Sequence, residues 1–389
     1  MYTLTHSIRT RFLFCGFVRI HYVNETMKPD KTKNELHILR YSTWHTTMTL
    51  QKRIEESKRT GELNVSNMGL ATLPTLPSTL TSLSCYNNLL TTLPPLPPTL
   101  TYLDCSTNQL TTLPELPSRL TDLNCADNAL TTLPTLPSTL TELICSCNQL
   151  TTLPTLPATL TYLWCSDNQL TTLPKLPSNL TNLSCSYNPF TTLPRLPFTL
   201  THLWCSENHL TTLPRLPSVL KGVNCSNNRL TNLPKLPSAL VYLDCSTNQL
   251  TTLPTLSSTL TELTCSVNRL DTLPTLPSTL EILKCYDNQL HTLPQLPYLL
   301  TRLDCSNNPY TATFANLITN DMAESIQRVR TYYAIVKHQL CNLIALQYSL
   351  GKGYTRTLND DCLNIVGSYL SGQSGTLPMQ LTKLQSILL

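Results

Sequence analysis

Apolar residues recur with a fixed period of 20 from Gly61 to Tyr310, without one insertion or deletion. A unit reads Leu-x-x-Leu-x-Cys-x-x-Asn-x-Leu-Thr-x-Leu-Pro-x-Leu-Pro-x-x, as in residues 100–119. One degenerate unit at 61–80 precedes eleven full units, and a half unit ends the series. A unit this short cannot bury its apolar face alone, so the units are expected to stack and share one continuous core.

Within each unit, the pattern predicts one short strand and one extended return limb. Leu103 and Cys105 lie two residues apart, which places both on the same face of a strand. No helical period fits the residues after Asn108, and Pro114 and Pro117 remove donors that a helix needs. The chain is therefore predicted to form a parallel β-sheet on a concave face, with extended polyproline-like limbs on the convex side.

Two invariant columns accompany the leucines. An Asn recurs from Asn88 to Asn308, and because an amide carries both donors and an acceptor, we expect it to satisfy buried backbone groups. A Cys recurs from Cys85 to Cys305 at an inward position, where a free thiol behaves as a small hydrophobic group. A column of one Cys per repeat does not resemble a secreted disulfide framework, so it favours a reducing compartment, the cytoplasm.

The ends of the chain differ from the repeats, which gives four predicted regions. Residues 1–43 read as a poorly ordered basic segment, residues 44–60 as a helical N-cap, and residues 61–310 as the solenoid. Residues 311–389 read as an α-helical C-terminal cap or module, because apolar residues follow a helical period from about Met322.

Composition and charge narrow the possible functions. The net charge is +4, and it divides into +6 for residues 1–60, −4 for 61–310 and +2 for 311–389. No region is basic enough to indicate nucleic acid as the main partner. No run of 18 apolar residues suggests a membrane span. We find no phosphate-binding, nucleophile or metal-ligand motif, so we expect no enzyme activity, no cofactor and no metal site.

The positions that vary between repeats are the candidates for function, because the outward strand positions line the open face of the sheet. Two of the three Trp of the chain fall in one outward column. Trp and Tyr dominate interface hot spots. The alternative is that these aromatic residues only cover sheet surface. The candidate partner-binding patch comprises Ile144, Tyr162, Trp164, Tyr187, His202 and Trp204, and nearby acidic residues indicate a partner with basic groups.

A second irregularity lies on the predicted return limbs. Four successive units carry a basic residue between the two Leu-Pro pairs: Lys175, Arg195, Arg215 and Lys235. Exposed charges of this kind often form only a solvated face. The alternative is a secondary site for an acidic partner or a phosphate-bearing surface.

The units resemble the short, Pro-rich leucine-rich repeats of YopM- and IpaH-type bacterial effectors and of mimivirus-like giant DNA viruses. The resemblance implies a horseshoe or superhelix that binds other proteins. The IpaH-type ligase domain is not implied, because neither Cys341-Asn-Leu nor Cys362-Leu-Asn matches that family's Cys-x-Asp motif. We therefore expect a non-enzymatic interaction scaffold, a viral protein that binds host proteins.

Two alternatives stay open at this stage. Residues 358–370 resemble the opening of an F-box, which would make the chain a substrate receptor that binds a ubiquitin-ligase adaptor. The Pro that usually follows the first Leu of that motif is missing here. The third possibility is a structural or virion component.

Overall fold

The computed structural model describes residues 50–319 and 321–349. The predicted basic segment 1–43, the first residues of the predicted cap and the F-box-like stretch 358–370 all lie outside the described residues.

The repeats form a parallel-sheet solenoid, as predicted. The described residues divide into two compact units, one up to Thr139 together with Cys145–Gln149, the other Leu140–Ile144 and the residues from Leu150 on. The first unit holds the strands β1 Glu62–Asn64, β2 Ser82–Ser84, β3 Tyr102–Asp104 and β4 Asp122–Asn124. The second holds β5 Glu142–Ile144, β6 Tyr162–Trp164, β7 Asn182–Ser184, β8 His202–Trp204, β9 Gly222–Asn224, β10 Tyr242–Asp244, β11 Glu262–Thr264, β12 Ile282–Lys284 and β13 Arg302–Asp304.

Within each of the two compact units, every strand pairs in parallel with the strand of the next repeat. Residues that lie opposite each other are 20 positions apart in the sequence. Tyr242 lies opposite Glu262, for example, and Leu243 lies opposite Leu263. The central residue of each strand is buried and its two neighbours face outward. The Cys that follows the strand turns inward again, and all twelve column cysteines are free and buried. Cys147 lies outside this column.

The return limbs contain neither helix nor strand, in agreement with the proline spacing. The limbs end in a tight turn, in which a Leu donates its N–H to the carbonyl three residues earlier, as Leu200 does to Pro197 at 3.2 Å and Leu260 to Ser257 at 3.2 Å. The Thr before that Leu ties neighbouring limbs together. The hydroxyl of Thr199 donates to the carbonyls of Ser178 and Leu180 at 2.7 and 2.8 Å.

The Asn column is structural, as predicted, and each amide joins two successive repeats. The Nδ2 of Asn188 donates to the carbonyl of Cys165 in the preceding repeat and to those of Cys185 and Ser186 in its own, at 3.1–3.3 Å. Its Oδ1 accepts the N–H of Leu170 at 2.9 Å. One buried side chain therefore provides partners for the carbonyls of Cys165 and Cys185 and for the N–H of Leu170. The carbonyl of Ser186 also accepts the N–H of Asp167 at 2.9 Å.

The third residue after each of the thirteen strands has a positive φ, between 51° and 59°. It precedes the column Asn in twelve repeats and Met68 in the first. This left-handed region disfavours β-branched residues, whereas Asn tolerates it. Asn occupies the position at 67, 87, 227 and 307, but Thr107, Thr247 and Val267 also occupy it. The repeat therefore imposes this backbone conformation regardless of the side chain. Where the residue is β-branched, the backbone at this position is strained.

Helices cover both ends of the described repeats. Helix α1, Leu50–Thr60, packs against β1, which confirms the predicted helical N-cap. After the short helix α2, Ala312–Ala315, helix α3, Met322–Ser349, packs against β13. The guanidinium of Arg330 donates to carbonyls of the last return limb, including that of Tyr298 at 2.9 Å, and the Tyr333 hydroxyl donates to the carbonyl of Leu293. The described part of α3 thus acts as a cap.

Replacing one column amide tests its structural role. Asn188→Ala leaves buried backbone groups of two repeats without partners, so we expect the free energy of unfolding to fall by about 1–3 kcal/mol. Chemical denaturation of the variant beside the parent measures this. Ser178→Ala, an exposed change on a return limb, is the control and should leave the midpoint nearly unchanged. Equal midpoints for both variants would show that the amide column is not essential.

A second pair of variants tests the strain at the left-handed position. Val267→Asn places a tolerant residue where a β-branched one now has a φ of 54°, so we expect stability to rise by about 1 kcal/mol. The reciprocal change Asn227→Val should lower stability by a similar amount. Thermal melting of both variants gives the comparison. If both melt at the parental temperature, the backbone conformation carries no strain.

Candidate functional site

The predicted patch lies on the outward face of the sheet in the second unit. The register aligns Ile144, Trp164, Ser184 and Trp204 in one outward column, and Tyr162, Asn182 and His202 in the other. All six predicted patch residues are half-buried. Tyr187 lies in the loop after β7, at the left-handed position of its repeat. The sequence reasoning therefore placed the two Trp correctly in one column.

Trp204 is the centre of a continuous aromatic cluster, which extends further along the sheet than predicted. Its ring centroid lies 6.0 Å from that of His202 and 5.7 Å from that of Tyr242, with the Tyr242 ring edge-on. Tyr242 lies two strands away in β10, so the indole ring crosses the intervening strand β9. Such edge-to-face aromatic pairs are favourable beyond their buried area.

The crossing is possible because β9 begins with Gly222. A Cβ atom at this position would lie 3.1 Å from Cδ2 of His202 and 3.3 Å from Cη2 of Trp204. Every other strand of the solenoid begins with a residue that has a side chain. Gly222 thus leaves the space that the rings of His202 and Trp204 occupy. We name the cluster of His202, Trp204, Gly222 and Tyr242 the aromatic platform.

Carboxylates border the aromatic platform on one side. Burial raises the pKa of Tyr242, and the neighbouring charges of Asp244 and Glu262 raise it further. The phenol is therefore uncharged at neutral pH, while the field at the platform edge is negative. Burial also raises the pKa of Glu207, which lies in the loop after β8. An aromatic surface edged by carboxylates is suited to a cationic side chain, because ring faces and anions both attract positive charge.

His202 provides the polar edge of the aromatic platform. Its Nδ1 lies 3.0 Å from the hydroxyl of Thr201, and its ring is half-buried. Burial lowers the pKa of His202, and the positive charge of Lys221 lowers it further. The imidazole is therefore neutral at pH 7 and packs on Trp204 as an uncharged aromatic ring.

The predicted basic stripe lies apart from the aromatic platform, on the return limbs. Lys175, Arg195, Arg215 and Lys235 are all exposed. The guanidinium of Arg195 lies over the ring of Phe198, 5.2 Å from its centroid. The return limbs from 170 to 240 contain no Asp or Glu, so the charge of the stripe is not neutralised on its own surface.

Among the described residues, no group of three or more His, Cys, Asp or Glu side chains is arranged to bind a metal ion. None of the described helices is both long enough and apolar enough to span a membrane.

Sequence reasoning missed Gly222 and Tyr242. The signal was present, since Gly222 is the one glycine at an outward strand position in 81–310 and Tyr242 occupies the same column one repeat later. What the sequence could not supply was the direction of the Trp204 ring, which points across β9.

Solved structures of leucine-rich repeat proteins are similar to this chain. YopM from Yersinia enterocolitica WA-314 is 34% identical, with 71% of this chain and 73% of that one covered and a TM-score of 0.61. YopM from Yersinia pestis, described as a leucine-rich effector protein, is 32% identical, with 72% and 95% covered and a TM-score of 0.56.

A third similar structure is the functional domain of InlJ from Listeria monocytogenes, which is described as including a cysteine ladder. It is 32% identical, with 59% of this chain and 54% of that one covered and a TM-score of 0.52. No protein-family model matches the chain, and no curated protein matches it.

The environment of His202 gives a prediction about its titration. Lys221→Gln removes the nearby positive charge, so the pKa of His202 should rise, yet stay below 6.5 because burial is the larger cause. NMR titration of the imidazole Hε1 resonance measures both values. Arg229→Gln, which removes an exposed charge elsewhere in the same repeat, is the control and should leave the curve unchanged. A pKa of 6.5 or above in the parent protein would contradict the packing of His202.

Proposed function

Because the chain belongs to the family of YopM-like leucine-rich repeat proteins, we propose that it is a non-enzymatic scaffold that binds a protein partner on the open face of its sheet. The aromatic platform is the observation that carries this proposal. Aromatic residues are not needed at these outward positions to fill the core, because Leu203 and Cys205 already occupy the inward ones. A half-exposed indole beside two further rings is typical of an interface anchor.

The chemistry of the platform favours a partner that presents a basic side chain. An Arg or Lys placed over Trp204 would contact a ring face and also approach the carboxylates of Asp244 and Glu262. Ile144, Tyr162 and Trp164 extend the patch along the sheet and supply apolar contact area. The loop residues Tyr187 and Glu207 would contribute to its rim.

The proposal extends to the setting in which the chain acts. YopM of Yersinia pestis is described as an effector, which supports a partner from a host cell. A viral origin rests on the resemblance of the repeats to those of giant DNA viruses. A cytoplasmic location rests on the twelve free cysteines of the column. The F-box-like stretch 358–370, with its ubiquitin-ligase adaptor, and the role as a virion component stay predictions.

Replacing both tryptophans tests the proposed surface. Trp164→Ser with Trp204→Ser introduces the residue found at 84 and 184, so the fold should keep its melting midpoint. Binding of the main protein partner, identified by affinity purification from host cells, should weaken by about 2 kcal/mol, or about 30-fold. Calorimetry of the purified pair measures the affinity.

Tyr102→Ser is the matched control, because Tyr102 occupies the repeat position of Tyr162 and Tyr242 but lies in the first unit. It should leave the affinity within twofold of the parent. If the double variant melts like the parent and binds undiminished, the open face is not the binding surface. If the double variant unfolds, the two rings support the fold instead.

A further inference from the structure

Three successive junctions between repeats in the second unit expose apolar side chains. Phe198, Val219 and Val241 are 68%, 42% and 38% exposed. They lie where the return limb turns into the next strand. We name these three residues the apolar ridge.

Two residues of the apolar ridge, Val219 and Val241, replace residues that hold neighbouring repeats together. At the repeat position of Val219, Thr159, Thr199, Thr259 and Thr279 each donate their hydroxyl to a carbonyl of the preceding limb. At the position of Val241, Thr161, Thr181, Thr201 and Thr261 make the equivalent bond. Val219 and Val241 cannot make these bonds, so the ridge gives up hydrogen bonds and exposes apolar surface. Nothing in the fold requires the loss of these hydrogen bonds or the exposure of these apolar side chains.

The apolar ridge and the basic stripe occupy the same surface. The stacking of Arg195 on Phe198 joins them directly, and Arg215 and Val219 belong to the next repeat. Among the described residues, none of the four stripe cations takes part in a salt bridge. Strands one repeat apart lie about 4.8 Å from each other, so the four charges form a line about 14 Å long.

We propose that this surface binds an extended acidic segment of another protein. Its carboxylates would lie along the basic stripe, and one aromatic or aliphatic side chain would pack against Phe198 and Val219. Alternate residues of an extended chain are about 6.6 Å apart, so three carboxylates span the length of the stripe. Charge complementarity identifies the partner, because the stripe carries four cations and its limbs carry no anion.

A synthetic peptide tests the proposal directly. The probe is a fluorescein-labelled 12-residue peptide with Glu at alternate positions and one central Phe, and its binding to the full chain is followed by fluorescence anisotropy. We expect saturable binding that weakens when NaCl is raised from about 50 to about 200 mM, because exposed charges are screened. The same peptide with Gln in place of Glu should not bind.

Matched variants locate the binding surface. Arg195→Gln with Arg215→Gln should weaken peptide binding about fivefold, and Phe198→Ser should also weaken it. Arg229→Gln with Arg269→Gln removes the same charge from exposed positions outside the stripe, so binding should stay within about twofold of the parent.

Three outcomes would overturn the proposal. The first is that the acidic peptide does not bind, and the second is that both double variants lose the same affinity. The third is stripe-dependent binding to phosphatidylserine-containing vesicles or to a single-stranded RNA 20-mer without binding of the peptide. That result would assign the stripe to a membrane or a nucleic acid instead.

Discussion

Every repeat of the solenoid depends on one side chain, the amide of the column Asn. Its Nδ2 donates to the carbonyls of two successive repeats, and its Oδ1 accepts an N–H from the limb before it, as Asn208 does with Cys185, Cys205 and Phe190. These bonds form only if successive repeats have the same length, because each amide must lie beside its partners in the preceding repeat. An insertion inside a repeat would separate the amide from its partners, which explains the fixed 20-residue period.

Other invariant features follow from this constraint. The turn that brings the amide inward forces the preceding residue into the left-handed region, where even Val267 has a φ of 54°. The inward strand positions face a narrow core, which Leu and the small Cys thiol fill. Burial raises the pKa of the Cys165 thiol to about 12. The positions that stay free to vary are the outward ones and those on the return limbs, which carry both proposed binding surfaces.

The repeat pattern predicted the fold because periodicity reports directly which residues face inward. It predicted the role of the Asn column from the donor and acceptor groups of an amide. It predicted the helix that begins at Met322 from the spacing of the apolar residues. It did not predict the strain at Val267, since a backbone angle leaves no trace in hydrophobicity. Nor did it predict that Trp204 reaches Tyr242, because that contact depends on a rotamer and on the missing side chain at Gly222.

The central claim is that the repeats within each compact unit share one register, with each column cysteine inside. Thiol labelling with iodoacetamide, mapped by mass spectrometry in the native and the denatured protein, tests it most directly. We predict that the twelve column cysteines react only after denaturation, with Cys305 the first to react on partial unfolding. Cys305 belongs to the last repeat, and burial raises the pKa of its thiol to about 11, less than that of Cys165. Rapid native labelling of several neighbouring column cysteines, such as Cys165, Cys185 and Cys205, would contradict the shared register.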